Sequence, residues 1–425
     1  MNANHEGWLA GSAVMPFPIE AGTPMAGYAA RTGHSNGTLD PLTVSALALS
    51  VQGRELVIVS ADVVAVDAAV TQKVAAAAGI ARSSLLIAAS HTHSGPAGIS
   101  NRLHPASAEQ VDHDLRRRFV AASAETIALA REGRLPATVS IGQAATTGLA
   151  SNRNDPAGPY DPGLTVLTVQ RESGAFDAVL VQWACHPTTL GAGNARISAD
   201  FPGTLRSHLR GQLAPGDPVV VYLNGAAGDI STRFTRAAQT PNVVDRLGAA
   251  LADASRAAMA NADPLPAHIN HASTTVQLAG WSQDEISETL ARLNETPVPG
   301  HSSPAAMTRS SVTRAQGLAL LQSLAQSPCR PRRRSLRLDV WTLGDWVILG
   351  VPGELFASLG QHIMTSSPHP AIIAGYAGGY AGYLADQAAY AVGTYESLAS
   401  PFAPGSGEKV SEAAITLLRD LSGSQ

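Results

Sequence analysis

The sequence predicts an α/β fold on three features. Short runs rich in Val, Ile and Leu recur at strand length, and helix-length patterns alternate with them. The composition, 45% hydrophobic and 15% charged over 425 residues, supplies enough apolar material for a large core. The apolar runs lie at 45–51, 55–60, 84–90, 164–170, 178–184, 219–223, 336–343 and 346–351. Continuous runs of this kind suit strands covered on both faces. Helical patterns occupy 68–79, 108–131, 200–213, 243–260, 282–294 and 308–325. The stretch 296–306, with three prolines, reads as a loop between the last two helices. No repeat or long low-complexity linker divides the chain. Residues 1–425 are therefore expected to form a single catalytic domain, with a helical insertion at 266–330.

Charge and cysteine content exclude several classes. The formal net charge is -4, so no basic field exists to hold a phosphate backbone, and no nucleic acid is expected. The basic run at 330–334 is short and reads as a solvated loop. Two cysteines, Cys185 and Cys329, supply neither a disulfide framework nor a four-thiolate zinc site. The first residues lack the basic and apolar regions of a secretion signal. No window reaches the roughly 18 apolar residues of a membrane span. A cytoplasmic protein without a stable membrane anchor is expected, acting on a small-molecule substrate. Homo-oligomerisation is the general expectation for such a chain.

Candidate chemistry falls at predicted strand ends, where α/β proteins place their ligands. His91-Thr92-His93 follows the run at 84–90, before the turn Ser94-Gly95-Pro96. Two imidazoles one residue apart face the same way in an extended segment. They can share a metal, divide between metal and substrate, or be ordinary loop histidines. Cys185-His186-Pro187 follows the run at 178–184. Two imidazoles with a carboxylate and another oxygen donor would suit zinc. Asp200 opens a predicted helix, where it fits an N-cap or a supporting role beside the histidines. Asn224-Gly225-Ala226-Ala227-Gly228-Asp229-Ile230-Ser231 is a Gly-rich turn presenting Asp and Ser, without a phosphate-binding loop's Gly-Lys-Ser/Thr ending. Val351-Pro352-Gly353-Glu354 sets a carboxylate past another strand, as a ligand or as a helix N-terminal Glu. If those strands share one sheet, His91, His186, Ser231 and Glu354 gather at one rim. From 375 to 397 there are five Gly and five Tyr, which fits a site wall or a loop whose tyrosines pack on the core.

These landmarks, in this order, resemble the catalytic domain of the neutral/alkaline non-lysosomal ceramidases and their shorter bacterial relatives. The likeness begins at Pro24-Met25-Ala26-Gly27-Tyr28 and Asp40-Pro41-Leu42. It continues through Ser60-Ala61-Asp62, His91 to Pro96, Asn152-Arg153 and Cys185-His186-Pro187. It closes with Gly228-Asp229-Ile230-Ser231, Pro352-Gly353-Glu354 and the segment from Tyr380 to Glu396. The resemblance implies a mixed β-sheet core flanked by helices. It also implies one Zn2+ per chain, held by His91, His186, Glu354 and Tyr383. Tyr383 is assigned because it lies twelve residues before Tyr395, as in the family's pair; Tyr380 is the competitor. His93 would work on water or the substrate oxygen, Arg153 and Tyr395 would contact the scissile carbonyl, and Ser231 would be a hydrogen-bonding partner or nucleophile. The family's Ser-Pro-Asn continuation is here Ser231-Thr232-Arg233, and its C-terminal β-sandwich domain and secretion signal are not expected. The expected activity is zinc-dependent hydrolysis of an amide in a small or acylated substrate by metal-activated water. The alternatives are an ester, lactone or carbamate hydrolase on the same site, with Ser231 as nucleophile, or a non-catalytic metal- or ligand-binding protein.

Overall fold

The computed structural model describes residues 6–101, 103, 110–297, 304–327 and 332–422. The predicted helix start at Ala108, the thiol of Cys329 and the first residue of the basic run, Arg330, lie outside them, as does part of the loop at 296–306.

The first part of the chain builds strands β1 (Trp8–Pro16), β2 (Thr43–Val51), β3 (Arg54–Ala61), β4 (Leu85–Ala89), β5 (Leu135–Ala145), β6 (Ser151–Asn152), β7 (Gly163–Gln170), β8 (Phe176–Trp183), β9 (Val219–Asn224), β10 (Ile230–Ser231) and β11 (Asp263–Pro264). Helices α1 (Ala68–Ala77), α2 (His113–Glu132), α3 (Phe201–Gln212) and α4 (Pro241–Ala260) alternate with them. The large sheet has nine strands, ordered β4-β3-β2-β1-β5-β7-β8-β9, with β11 beside β5. Its parallel pairs are β3 with β4 and β8 with β9. Those two connections contain α1 and α3, because a parallel return needs a crossover and not a tight turn. The remaining ladders are antiparallel, so the sheet is mixed.

The apolar runs are continuous because both faces of the sheet are covered. In β2, Val44, Ala46 and Ala48 point to the core packed by α1–α4, while Leu47, Leu49 and Val51 point the other way. That second face meets a smaller sheet, β12 (Ile269–Ala279), β13 (Arg333–Leu343), β14 (Trp346–Gly350) and β16 (Ala371–Ala374), in that order. Trp341, Leu343, Ile348 and Ile372 fill the space between the sheets. The outer face of the small sheet is covered by α5 (Gln283–Glu295), α6 (Pro304–Gln326), α7 (Ala357–Ser366) and α10 (Ser406–Ser422). The result is a layered arrangement of helices, sheet, sheet and helices. Short pieces complete it: β15 (Glu354–Leu355), β17 (Tyr383–Leu384), α8 (Gln387–Val392) and α9 (Tyr395–Ala399).

Several elements were not evident in the sequence. β1 and β5 carry Gly, Ser and Ala and show no run of branched residues. β12 lies in the segment expected to be helical, with mostly polar side chains on its exposed face. The Gly- and Tyr-rich segment carries two short helices and β17, where a loop or wall was expected.

The motif-bearing strands do not lie at one rim of one sheet. β4 and β9 are its opposite ends, and β14 belongs to the small sheet. They meet because the large sheet curves, bringing the Ser60 hydroxyl to the Tyr222 carbonyl at 2.5 Å. The chain at 375–378 then bridges three strand ends. Gly375 N–H donates to Asn224 O at 2.9 Å, Gly378 N–H to Ile87 O at 2.8 Å and Ala377 N–H to Val351 O at 3.0 Å. A Cβ on Gly375 would sit 2.4 Å from the Gly225 carbonyl oxygen, so only glycine permits this approach.

Candidate metal centre

His91 leaves β4 with a left-handed backbone, φ 69°. This turns its ring inward, where Nδ1 lies 2.6 Å from Val64 O. His186 leaves β8, and its N–H donates to Ile230 O at 3.0 Å. Its Nδ1 lies 2.6 Å from Ala227 O. A carbonyl only accepts, so each Nδ1 carries a proton, and Nε2 is the atom left to turn a lone pair to a metal when the ring is neutral. That is the tautomer a metal ligand needs, fixed by the surrounding backbone.

Glu354 closes the set from β15. Its Oε2 lies 2.9 Å from His186 Nε2 and 3.4 Å from His91 Nε2. Tyr380 donates its hydroxyl to Oε1 at 2.5 Å. Burial alone would raise the Glu354 carboxyl, but His91 and His186 outweigh it and hold the group well below the usual carboxylate range. Burial, then Arg153, push His186 down to about 4. Ionised carboxylate and neutral imidazole are the forms that bind a divalent cation.

His93 completes a trio. The donor atoms of His91, His93 and His186 lie within 4.8 Å of one another, and all three residues are buried. His93 Nε2 is 3.2 Å from His91 Nε2, while its Nδ1 is buried without a partner. Burial and the two neighbouring imidazoles push His93 well below its ordinary value. The ring lies edge-on to Tyr28, with centroids 4.9 Å apart. The donor chemistry therefore fits a metal ion: the cluster can hold one through imidazole nitrogens with a carboxylate alongside.

The other expected residues surround this cluster. Arg153 follows β6, and its Nη2 donates to Gly228 O at 2.7 Å and to the Tyr383 hydroxyl at 3.1 Å. Its Nε donates to Glu396 at 2.7 Å. Tyr383 pairs with Glu354 through the parallel β15–β17 ladder. The Tyr383 and Tyr395 rings are 6.2 Å apart. Ser231 bridges to His186 along the backbone, and its hydroxyl accepts from Arg233 N at 3.2 Å. Asp200 caps α3 through Phe201 N and also holds Leu190 N at 2.9 Å.

Sequence reasoning offered Asp229 only as the acid of a Gly-rich turn and missed Asn154 and Glu396 as parts of the surround. Asp229 accepts from Asn152 and from the N–H of Ala357, joining the Arg153 loop to the segment after Glu354. Glu396 stands 243 residues from Arg153. No local pattern reports a pair so distant, although its place directly after Tyr395 marked the segment. A cavity of about 340 Å³ adjoins this surround, lined in part by Asn152, Asn154, Asp229, Phe356 and Arg314.

The model of the N-terminal region of neutral/alkaline non-lysosomal ceramidases matches residues 19–240. No curated protein matches the chain in sequence. Among solved structures, the neutral ceramidase from Pseudomonas aeruginosa is similar to it at 17% identity and a TM-score of 0.78, over 98% of this chain and 75% of that one. A structure described as ceramidase complexed with C2 is similar at 17% identity and a TM-score of 0.79, over 99% of this chain and 76% of that one. At that identity these likenesses show the fold. With the match across just over half of its length, the chain belongs to the neutral/alkaline non-lysosomal ceramidase family and is a hydrolase of that fold.

Proposed function

We propose that the chain is a zinc-dependent amidohydrolase acting on a small or acylated amide. The observation that carries this reading is the convergence of His91 Nε2, His186 Nε2 and Glu354 Oε2 in a buried site. Both imidazoles are oriented there by backbone carbonyls. His91, His186 and Glu354 would hold the ion, with Tyr383 as the fourth donor. Burial, with Glu354, pushes the Tyr383 phenol well above its ordinary value, and the Arg153 guanidinium at its hydroxyl opposes that rise. Zinc supplies Lewis acidity in such a site.

The chain's own residues account for the rest. His93, held neutral, accepts a proton from the attacking water and returns it to the leaving amine. Arg153 and Tyr395 donate to the carbonyl oxygen as it becomes an oxyanion, in surroundings where a preformed charge is not screened by water. The cavity lined by Asn152 and Asn154, the sequence neighbours of Arg153, lies at the lower end of the roughly 300–1,000 Å³ usual for small-molecule pockets, and none of the ligand or catalytic candidates lines it.

The test is metal analysis with a panel of N-acyl amides and matched esters. The expected result is about one zinc per chain, amide hydrolysis lost on chelation, and restoration by Zn2+ but not by Mg2+, which prefers oxygen ligands. Protein without stoichiometric zinc, whose His91→Ala and His186→Ala variants remain fully active, would refute the reading. An acyl adduct on Ser231 by mass spectrometry would move the attack to that hydroxyl.

A further inference from the structure

We infer that Glu396 is the positioning residue for Arg153, and that α9 carries it into place for that purpose; this rests on the hydrolase reading above. Glu396 is 2% exposed and Arg153 6%. Arg153 Nε donates to one carboxylate oxygen at 2.7 Å, and Asn154 Nδ2 donates to the other at 3.0 Å. Both oxygens are thus fixed, by two residues adjacent in sequence. Burial would raise the Glu396 carboxyl, but Arg153 outweighs it and holds the group below its ordinary range.

The guanidinium is a rigid plane, so fixing Nε together with Nη2 fixes the whole fork. Nη2 is held by Gly228 O and the Tyr383 hydroxyl. Among the described residues Nη1 has no acceptor, which leaves it for a substrate oxygen. A buried ion pair is costly to desolvate and adds little net stability compared with apolar packing. Aiming a charge is the use that explains this one. The helix that bears Glu396 is held by α6: a Cβ on Gly317 would lie 3.2 Å from Tyr395 Cα and 2.9 Å from Leu398 Cβ. α6 therefore sets α9, α9 sets Glu396, and Glu396 sets Arg153.

The experiment compares wild type, Glu396→Gln, Arg153→Lys and the double variant as full-length zinc-loaded protein. Glu396→Gln should lower kcat by about 10- to 100-fold, the usual cost of losing an outer partner. KM should move by less than about threefold, with zinc content unchanged. The double variant should be no slower than Arg153→Lys alone, because both changes disable one aimed group. A purely structural carboxylate predicts additive losses, and Glu396→Gln at the wild-type rate, or additivity, overturns the inference. Nε–Hε exchange of Arg153, read by 15N NMR, needs no substrate. It should be slow in wild type and fast in Glu396→Gln. If no amide or ester is cleaved by wild type, the hydrolase reading has failed, and slow exchange retained in the variant would still overturn the positioning claim.

Discussion

Tyr380 donates its phenolic hydrogen to Oε1 of Glu354 at 2.5 Å, while the other oxygen of that carboxylate faces His186 Nε2 at 2.9 Å. The two oxygens are thus divided, one held by a phenol and one turned toward the imidazoles. Tyr383 takes the opposite position, with its hydroxyl on Arg153. The first prediction concerns these two tyrosines. Tyr380→Phe frees Oε1 and should weaken zinc binding by about 10- to 100-fold, the range for an outer partner of a ligand. Tyr383→Phe should weaken it more, because a ligand is lost. Competition titration against a zinc chelator measures both; the reverse order would make Tyr380 the ligand.

Gly27 is the floor under His93. Its φ is +98°, and a Cβ there would sit 2.5 Å from His93 Cγ. Gly27→Ala therefore combines a strained backbone with a clash against the ring. Strain of this kind costs on the order of 1–3 kcal/mol. The expected outcome is a lower denaturation midpoint together with a loss of activity greater than any loss of bound zinc, since His93 moves while His91 and His186 stay. An unchanged rate in a folded Gly27→Ala protein would remove His93 from the chemistry.

Asp229 predicts how stability varies with pH. Burial pushes its carboxyl up to about 7, and Glu396 adds to the rise against the opposing Ala357 N–H and Arg153. A carboxyl raised above its unfolded value of about 3.9 binds its proton more tightly in the folded state. Its contribution is therefore fully present below about pH 4 and is lost as pH rises through about 7. Denaturant midpoints should fall between pH 5 and pH 8, and Asp229→Asn should flatten that fall. An equally steep fall in the variant would assign the dependence to other groups.

The strands and helices with a strong pattern were legible in the sequence. β2, β3, β4, β7, β8 and β9 all lie on the runs that the apolar pattern marks, within a few residues. These strands are covered on both faces, and that burial produces the apolar runs. β1, β5 and β12 gave weaker signals because Gly, Ser, Ala, Thr and other small or polar residues interrupt their apolar positions. The amphipathic α10 went unread, although Val410, Ala414, Leu417, Leu418 and Leu421 line its buried side. His91, His186 and Glu354 were visible as chemical types at strand ends, and their convergence was expected only on the condition of one shared sheet or from the family resemblance.

The sequence by itself determined the α/β class, the family landmarks and the residue types able to hold a metal. These depend on local period and on order along the chain. Only the tertiary structure decided that β4, β8 and β14 deliver their residues from two sheets, through a curve closed by the bridge at 375–378. It also decided that Tyr380 meets Glu354 while Tyr383 meets Arg153, and that Glu396 reaches across 243 residues to that arginine. The reason is physical: a ring nitrogen or a carboxylate acquires its tautomer, charge and aim from partners distant in the chain, and local periodicity carries no record of them.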